Sequence, residues 1–186
     1  GAERIYLFGH GENAIYQIDR ELRLLQKEGV GEKATIVPVI GDMKDREYMR
    51  YIVSRLKCDV VFHAAAYKHV PLMEENPVAV IGNNFFGTAN LLEASLEAGV
   101  KRFVLISTDK AVEPVSAYGV SKMLCERLVL SYAERSARKG SADGAYMFVR
   151  FGNVLGSRGS ILPLFIDQIR NGGPVTVTDP DMVRYF

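Results

Sequence analysis

Short apolar runs alternate along the chain with longer segments whose apolar residues recur every three or four positions, a pattern that predicts strand and helix in turn. Residues 4–9, "RIYLFG", read as a strand. Residues 13–29 read as a helix, with Ile15, Ile18, Leu22 and Leu25 on one face and Gly29 as its stop. A second strand over 34–42 contains Pro38, which donates no ladder hydrogen bond and so assigns the strand to a sheet edge. A helix over 45–56 and a buried strand over 59–66 follow. Residues 76–99 predict one helix, with Pro77 near its start and Gly99 at its end. Next come a strand over 102–108, a helix over 116–138 with Ser116 as N-cap, and a strand over 145–153. Between the last two, 138–145 reads as a flexible loop. Residues 160–173 predict a short helix and 174–179 a short strand.

This order predicts an α/β fold: a parallel sheet with helices on both faces. Ligands of such sheets sit at the carboxyl ends of the strands. Gly9, Asp42, Ala64 to Ala66, Ser107 to Lys110 and Asn153 all fall there.

Composition narrows the class. The chain has 186 residues, enough for one domain, with 48% hydrophobic and 24% charged residues, which fits a globular rather than a disordered chain. A net charge of +1 without a basic block argues against nucleic acid as the main partner. Cys58 and Cys125 stand far apart, giving neither metal spacing nor a disulfide framework, and point to a reducing compartment. His10, His63 and His69 lack a ligand pattern, so no metal is expected. No apolar run reaches about 18 residues, so no membrane span is expected within this chain.

The chemistry concentrates in "STDKAVEPVSAYGVSK". Tyr118 and Lys122 stand four apart on a helix and share a face. An ammonium near a phenol favours the phenolate and would lower its pKa from about 10 toward neutrality. Such a tyrosine can take a proton from an alcohol while a hydride leaves the same carbon, and the lysine can hold the ribose of a nicotinamide cofactor. The spacing alone fits an ordinary surface pair equally well; its place about ten residues after a strand ending in Ser-Thr sets it apart. Asp109 and Lys110, at the tip of that strand, could give and take protons if their surroundings set their pKa values apart; a turn-opening Asp beside a solvated Lys fits the local sequence as well. Asn83 and Asn84 lie inside an apolar helix, where Asn is a poor former. Either one faces the site, ordering a water or the lysine, or both ease a kink with Gly82 and Gly87. The three alanines of "HAAAYKH" leave room for a flat cofactor or for tight helix packing. "GHGENA" fits G-x-G-x-x-A, but no acidic residue closes the next strand at the usual distance, and Glu12 would repel a phosphate.

Taken together, "HAAAYKHVPLMEENP", "NNFFGTANLLEAS", "GVKRFVLISTDKAVEP", "YGVSK", "VRFGNVLGSRGSILPLF" and "GGPVTVTDPDMVRYF" resemble the polysaccharide-biosynthesis (CapD-like) family of sugar-nucleotide dehydratases and epimerases, within the extended short-chain dehydrogenase/reductase superfamily. The resemblance covers nearly the whole chain. It implies a Rossmann domain over 1–153 that binds NAD or NADP, and the beginning of a substrate-binding region over 154–186 that grips a UDP-sugar. By motif, Tyr118 is the base at the sugar C4 hydroxyl, Lys122 its partner, and Thr108 a hydrogen-bond partner of the same hydroxyl. Asp109 is the acid and Lys110 the base that remove water across C5 and C6. Hydride passes from C4 to the cofactor and returns to C6, leaving a 4-keto-6-deoxy sugar. Asp42, Met43, Ala64, Ala65, Ala66, Asn83, Lys122 and Asn153 fall to the cofactor, with Asp42 at the adenine. Lys68, Asn153 and Arg158 fall to the UDP-sugar.

The implied function is a C5-inverting UDP-N-acetylhexosamine 4,6-dehydratase of bacterial surface-glycan synthesis. A UDP-sugar 4- or 5-epimerase and a non-catalytic NAD(P)-binding scaffold are the alternatives. A cytoplasmic location follows from the substrates; some relatives anchor to the inner membrane, and homo-oligomers are common in the superfamily. Two departures stand out. "RIYLFGHGENAIYQIDREL" resembles the family's second strand and helix, so the first strand and its T-G-x-x-G-x-x-G loop are absent; and the chain stops at 184–186, where the family continues. The expectation is a fragment, poor at holding cofactor alone, whose sheet either closes the gap between 4–9 and 59–66 or borrows a strand from another copy.

Overall fold

The computed structural model describes residues 1–138, 145–157, 160–177 and 179–183. Among these residues, five strands form two parallel ladders. β1 (Arg4–Gly9) pairs with β2 (Thr35–Ile40), from Arg4 opposite Thr35 to Gly9 opposite Ile40. β3 (Val60–His63), β4 (Arg102–Thr108) and β5 (Ala145–Phe151) form the second ladder in that order. Pro38 lies opposite Leu7 on β2, whose one ladder partner among the described residues is β1, so its missing N–H leaves no bond unmade there. β1 and β3 do not pair. The gap between them is therefore not closed among the described residues.

Helices join the two ladders. α2 (Arg46–Leu56) and α5 (Gly87–Glu97) meet around Met43, Met49, Ile52, Val53, Ala94 and Val100, against which Phe8 and Val39 of the first ladder and Val61 of the second are packed. A second core lies under β4 and β5. There Leu92 and Leu96 of α5 and Cys125, Val129 and Tyr132 of α6 (Ala117–Arg138) enclose Phe103, Leu105 and Tyr146. The strand period of two decides which face this is. Phe103, Leu105 and Ser107 turn toward the helices and are buried. Phe62, Val104 and Met147 share a register row on the opposite face, where Phe62 is 72% and Met147 41% exposed. α1 (Glu12–Lys27) covers the first ladder, with Ile15 set against Gly9.

The single helix predicted over 76–99 is a continuous path in three parts: α4 (Pro77–Val80), a π-helical turn (Ile81–Phe86) and α5. α3 (Val70–Glu75), only six residues long, was too short to leave a periodic signal. The strand predicted over 59–66 ends at His63, and α7 (Ile161–Arg170) is shorter than the 160–173 expected and buries no residue. The strand predicted over 174–179 is not formed by residues 174–177 or 179, which have no ladder partner among the described residues. Most of the predicted loop, 139–144, lies outside the described residues. No helix among the described residues is long and apolar enough to cross a membrane.

Candidate active site

β4 ends at Thr108, a 3-10 turn follows over Asp109–Ala111, and α6 then folds back against that turn. Two caps fix the start of α6. Ser116 Oγ accepts from the Gly119 N–H at 3.0 Å, as the sequence predicted, and Glu74 Oε1 of α3 accepts from the Ala117 N–H at 2.6 Å. Gly119 is required by closeness: a Cβ there would stand 2.4 Å from the Lys110 carbonyl oxygen. The first turn of α6 thus lies on the strand tip and carries Tyr118 to Thr108 and Asp109.

Tyr118 is half-buried, and its phenol departs from the sequence expectation. Burial pushes its pKa up, the Thr108 hydroxyl favours the phenolate, and the Asp109 carboxylate disfavours it; the net shift is upward. Lys122 does not supply the expected lowering. Lys122 is only 3% exposed, and its ammonium donates instead to the Ile106 carbonyl at 2.7 Å. Burial lowers the Lys122 pKa, against Cys125 and Glu126, which raise it. At the tip, Asp109 Oδ1 accepts from Thr108 Oγ1 and from Lys110 Nζ, both at 2.9 Å. Burial alone would raise the Asp109 pKa, but these bonds outweigh it and hold the group below the usual carboxylate range. In this state Asp109 is an anion paired with a cation, not yet an acid.

Behind the tip, the π-helical turn is the feature that sequence periodicity did not reveal. Such turns insert one extra residue per turn and recur at functional sites. Here the turn buries Asn83 and Asn84. The Asn84 amide grips the backbone of Tyr67 both ways, accepting from its N–H at 2.8 Å and donating to its carbonyl at 3.0 Å. It also donates to Ser121 Oγ at 3.0 Å, and Ser121 donates to the Tyr118 carbonyl at 2.7 Å. Asn83 donates to Asn84 Oδ1 at 3.1 Å. One amide therefore ties the loop after β3 to the helix that bears Tyr118. The sequence singled out both asparagines and assigned Asn83 to the cofactor; the bonds that tie the loop to α6 are made by Asn84.

The other predicted residues spread around this centre. Ala64 and Ala65 are exposed just past β3, and Ala66 is half-buried. Lys68 and Ala66 line a cavity of about 540 Å³ with Tyr67, His69, Leu72 and Met73. Asp42 follows β2 and pairs with Lys44 at 3.3 Å. Met43 turns its side chain into the core against Gly87. Asn153 follows β5, half-buried. Arg158 lies outside the described residues. Among the described residues, no group of three His, Cys, Asp or Glu side chains could hold a metal ion.

The family profile described as polysaccharide biosynthesis protein matches residues 1–186. The capsular polysaccharide biosynthesis protein CapD of Staphylococcus aureus is 47% identical over 184 residues, which are 99% of this chain and 29% of that protein. A UDP-glucose 4-epimerase of Rickettsia rickettsii is 41% identical over 147 residues, 79% of this chain and 42% of that protein. The crystal structure of Pen from Bacillus thuringiensis superposes with a TM-score of 0.79 at 35% identity, covering 98% of this chain and 54% of that one. The chain thus spans 29% to 54% of the length of these three proteins.

Proposed function

The chain belongs to the polysaccharide biosynthesis protein family, and on that premise we propose that it carries the catalytic centre of a C5-inverting UDP-N-acetylhexosamine 4,6-dehydratase using NAD or NADP. The observation that carries the proposal is the meeting of Tyr118 with Thr108 and an Asp109–Lys110 pair at one strand tip. A phenol suffices for oxidation and reduction at C4. The adjacent acid and amine answer a further need, the removal of water across C5 and C6.

The residues present fit a nicotinamide cofactor. Ala64 and Ala65 offer bare backbone at the carboxyl end of β3, and the Lys122 ammonium, with three donors, gives one to Ile106. Those residues and Asn153 would hold the cofactor, which when bound supplies the acceptor for the C4 hydride and returns it to C6. The rest is done by side chains. Tyr118 takes the C4 hydroxyl proton. Its raised pKa keeps the phenolate scarce near neutral pH, so the rate rises with pH. Asp109 and Lys110 begin as an ion pair at 2.9 Å. A sugar that covers them removes water, and in a drier site the neutral pair is favoured over the ionic one. The proton then moves from Lys110 to Asp109, leaving a carboxylic acid for the departing C6 hydroxyl and a free amine for the C5 proton; as hydride adds to C6, C5 takes a proton on the face opposite Lys110, which inverts that centre. Lys68, on the cavity wall, offers its charge to the diphosphate.

The similarity to a UDP-glucose 4-epimerase supports a second reading, simple C4 epimerisation by Tyr118 and the cofactor. Incubating the full-length protein with UDP-N-acetylglucosamine and identifying the product by NMR separates the two. A 4-keto-6-deoxy sugar is expected; a 4-epimer alone overturns the dehydratase reading, and no reaction at all favours the scaffold. Lys110→Ala should lower turnover at least about 100-fold, whereas undiminished turnover removes Lys110 from the mechanism.

A further inference from the structure

Tyr118, Lys122 and Glu126 recur every four residues and so lie on one stripe of α6. The third has no part in the chemistry above, yet it is buried more deeply than the first. Glu126 is 3% exposed, and its carboxylate is fully engaged. Oε1 accepts from Ser107 Oγ at 2.6 Å and from Arg150 Nε at 3.0 Å, and Oε2 accepts from Arg150 Nη2 at 2.7 Å. Ser107 belongs to β4 and Arg150 to β5, where they lie opposite each other in the ladder. Ser107 also sits between Ile106, whose carbonyl takes the Lys122 ammonium, and Thr108. Two successive residues of β4 are thus bound to two successive turns of α6, directly behind the reactive tip. An apolar side chain would fill the same space without the cost of desolvating a charge. A carboxylate held by three directed bonds fixes position instead.

We infer that Glu126, with Ser107 and Arg150, is a positioning residue that sets where Tyr118 and Lys122 stand against Thr108. The inference rests on the site reading proposed above. It also gives Glu126 an electrostatic part. The titratable groups facing Lys122 are Cys125 and Glu126 from its own helix and His63 from β3, and of these Glu126 is the resident anion. Arg150 and Ser107 keep it ionised despite burial, and its charge favours the ammonium of Lys122.

The test uses the full-length protein, UDP-N-acetylglucosamine as probe substrate, and Glu126→Gln, Ser107→Ala and Tyr118→Phe side by side. Glu126→Gln should lower kcat roughly 100-fold with KM unchanged, the scale of a small misplacement of reacting groups. Its alkaline limb of kcat against pH should move to lower pH, because Lys122 loses its anionic neighbour. Glu126→Asp should restore that limb while recovering kcat only in part. A merely structural role would lower the melting temperature and leave both kcat per folded molecule and the limb where they were; that result overturns the inference. Should Glu126→Gln not fold, Ser107→Ala decides: about tenfold lower kcat at unchanged melting temperature supports the inference, and wild-type kcat overturns it. If Tyr118→Phe turns over at the wild-type rate, the site reading itself has failed. If Tyr118→Phe is inactive while Glu126→Gln matches the wild type, only the positioning role has failed.

Discussion

His63 sits at the end of β3, 3% exposed, with its Nε2 at 2.8 Å from Thr88 Oγ1. Thr88 gives its one hydroxyl proton to the Asn84 carbonyl, so the imidazole must supply the hydrogen of the shared contact, and Nε2 carries it. Burial, and then the charge of Lys122, push the His63 pKa down from 6.5 to about 3. The folded state therefore binds fewer protons than the unfolded state between those values, and stability falls as pH falls through that window. The slope approaches ~1.4 kcal/mol per pH unit. Carboxylates held low in the fold, such as Glu126, begin to add their own loss about one pH unit above their ordinary value of 4.5. Between pH 6.5 and about 5.5 the loss is therefore assigned to His63. Urea denaturation across that range should show declining stability, flattened in His63→Asn; an equal decline in both would refute the assignment. The sequence shows no ligand pattern around His63 and could not give this role. Its partner Thr88 is 25 positions away, and the burial that sets its pKa comes from helices packed over it.

At the scale of elements, what was legible followed from local geometry. The Tyr118–Lys122 stripe, the Ser116 cap and the edge position of Pro38 depend on residues within one turn or one strand, and periodicity and side-chain chemistry reveal such features. Of the π-helical turn the sequence showed only the kink reading of Asn83 and Asn84 with Gly82 and Gly87, because the extra residue is accommodated by tertiary bonds, from the Tyr67 N–H to Asn84 and from Asn84 to Ser121. The Glu126–Arg150 pair was hidden for a related reason: it requires the register of β4 on β5, which no single element determines. Two glycines test the element-level account. A Cβ at Gly119 would meet the backbone of Lys110 at 2.4 Å, whereas one at Gly82 would meet nothing within 4 Å. Gly119→Ala should destabilise by about 1–3 kcal/mol and displace Tyr118 from the strand tip, since a backbone oxygen cannot step aside. Gly82→Ala should be neutral or stabilising by up to ~1 kcal/mol. Equal thermal denaturation of the two variants would contradict the close approach of α6 to the tip.

Across the whole molecule, the alternating pattern foretold a parallel α/β fold, and the structure has it as two ladders bridged by α2 and α5. What pattern could not foretell was whether the ladders would meet; edge pairing depends on which strands are neighbours in space, not on their sequence. Among the described residues β1 and β3 each keep an unpaired edge, and the second ladder bears the exposed Phe62 and Met147 on one face and gathers Thr108, Asp109, Lys110, Tyr118 and Lys122 at its carboxyl end. That gathering is the centre of the account, and it makes one demand: a proton must leave the sugar through Tyr118 as hydride leaves C4. Rapid mixing of the full-length protein in its oxidised-cofactor form with UDP-N-acetylglucosamine, followed through the absorbance of reduced nicotinamide, measures that step directly. The wild type should show reduced cofactor appearing within turnover, and Tyr118→Phe should form it at least about 100-fold more slowly. Reduction at the same rate in both would contradict the account.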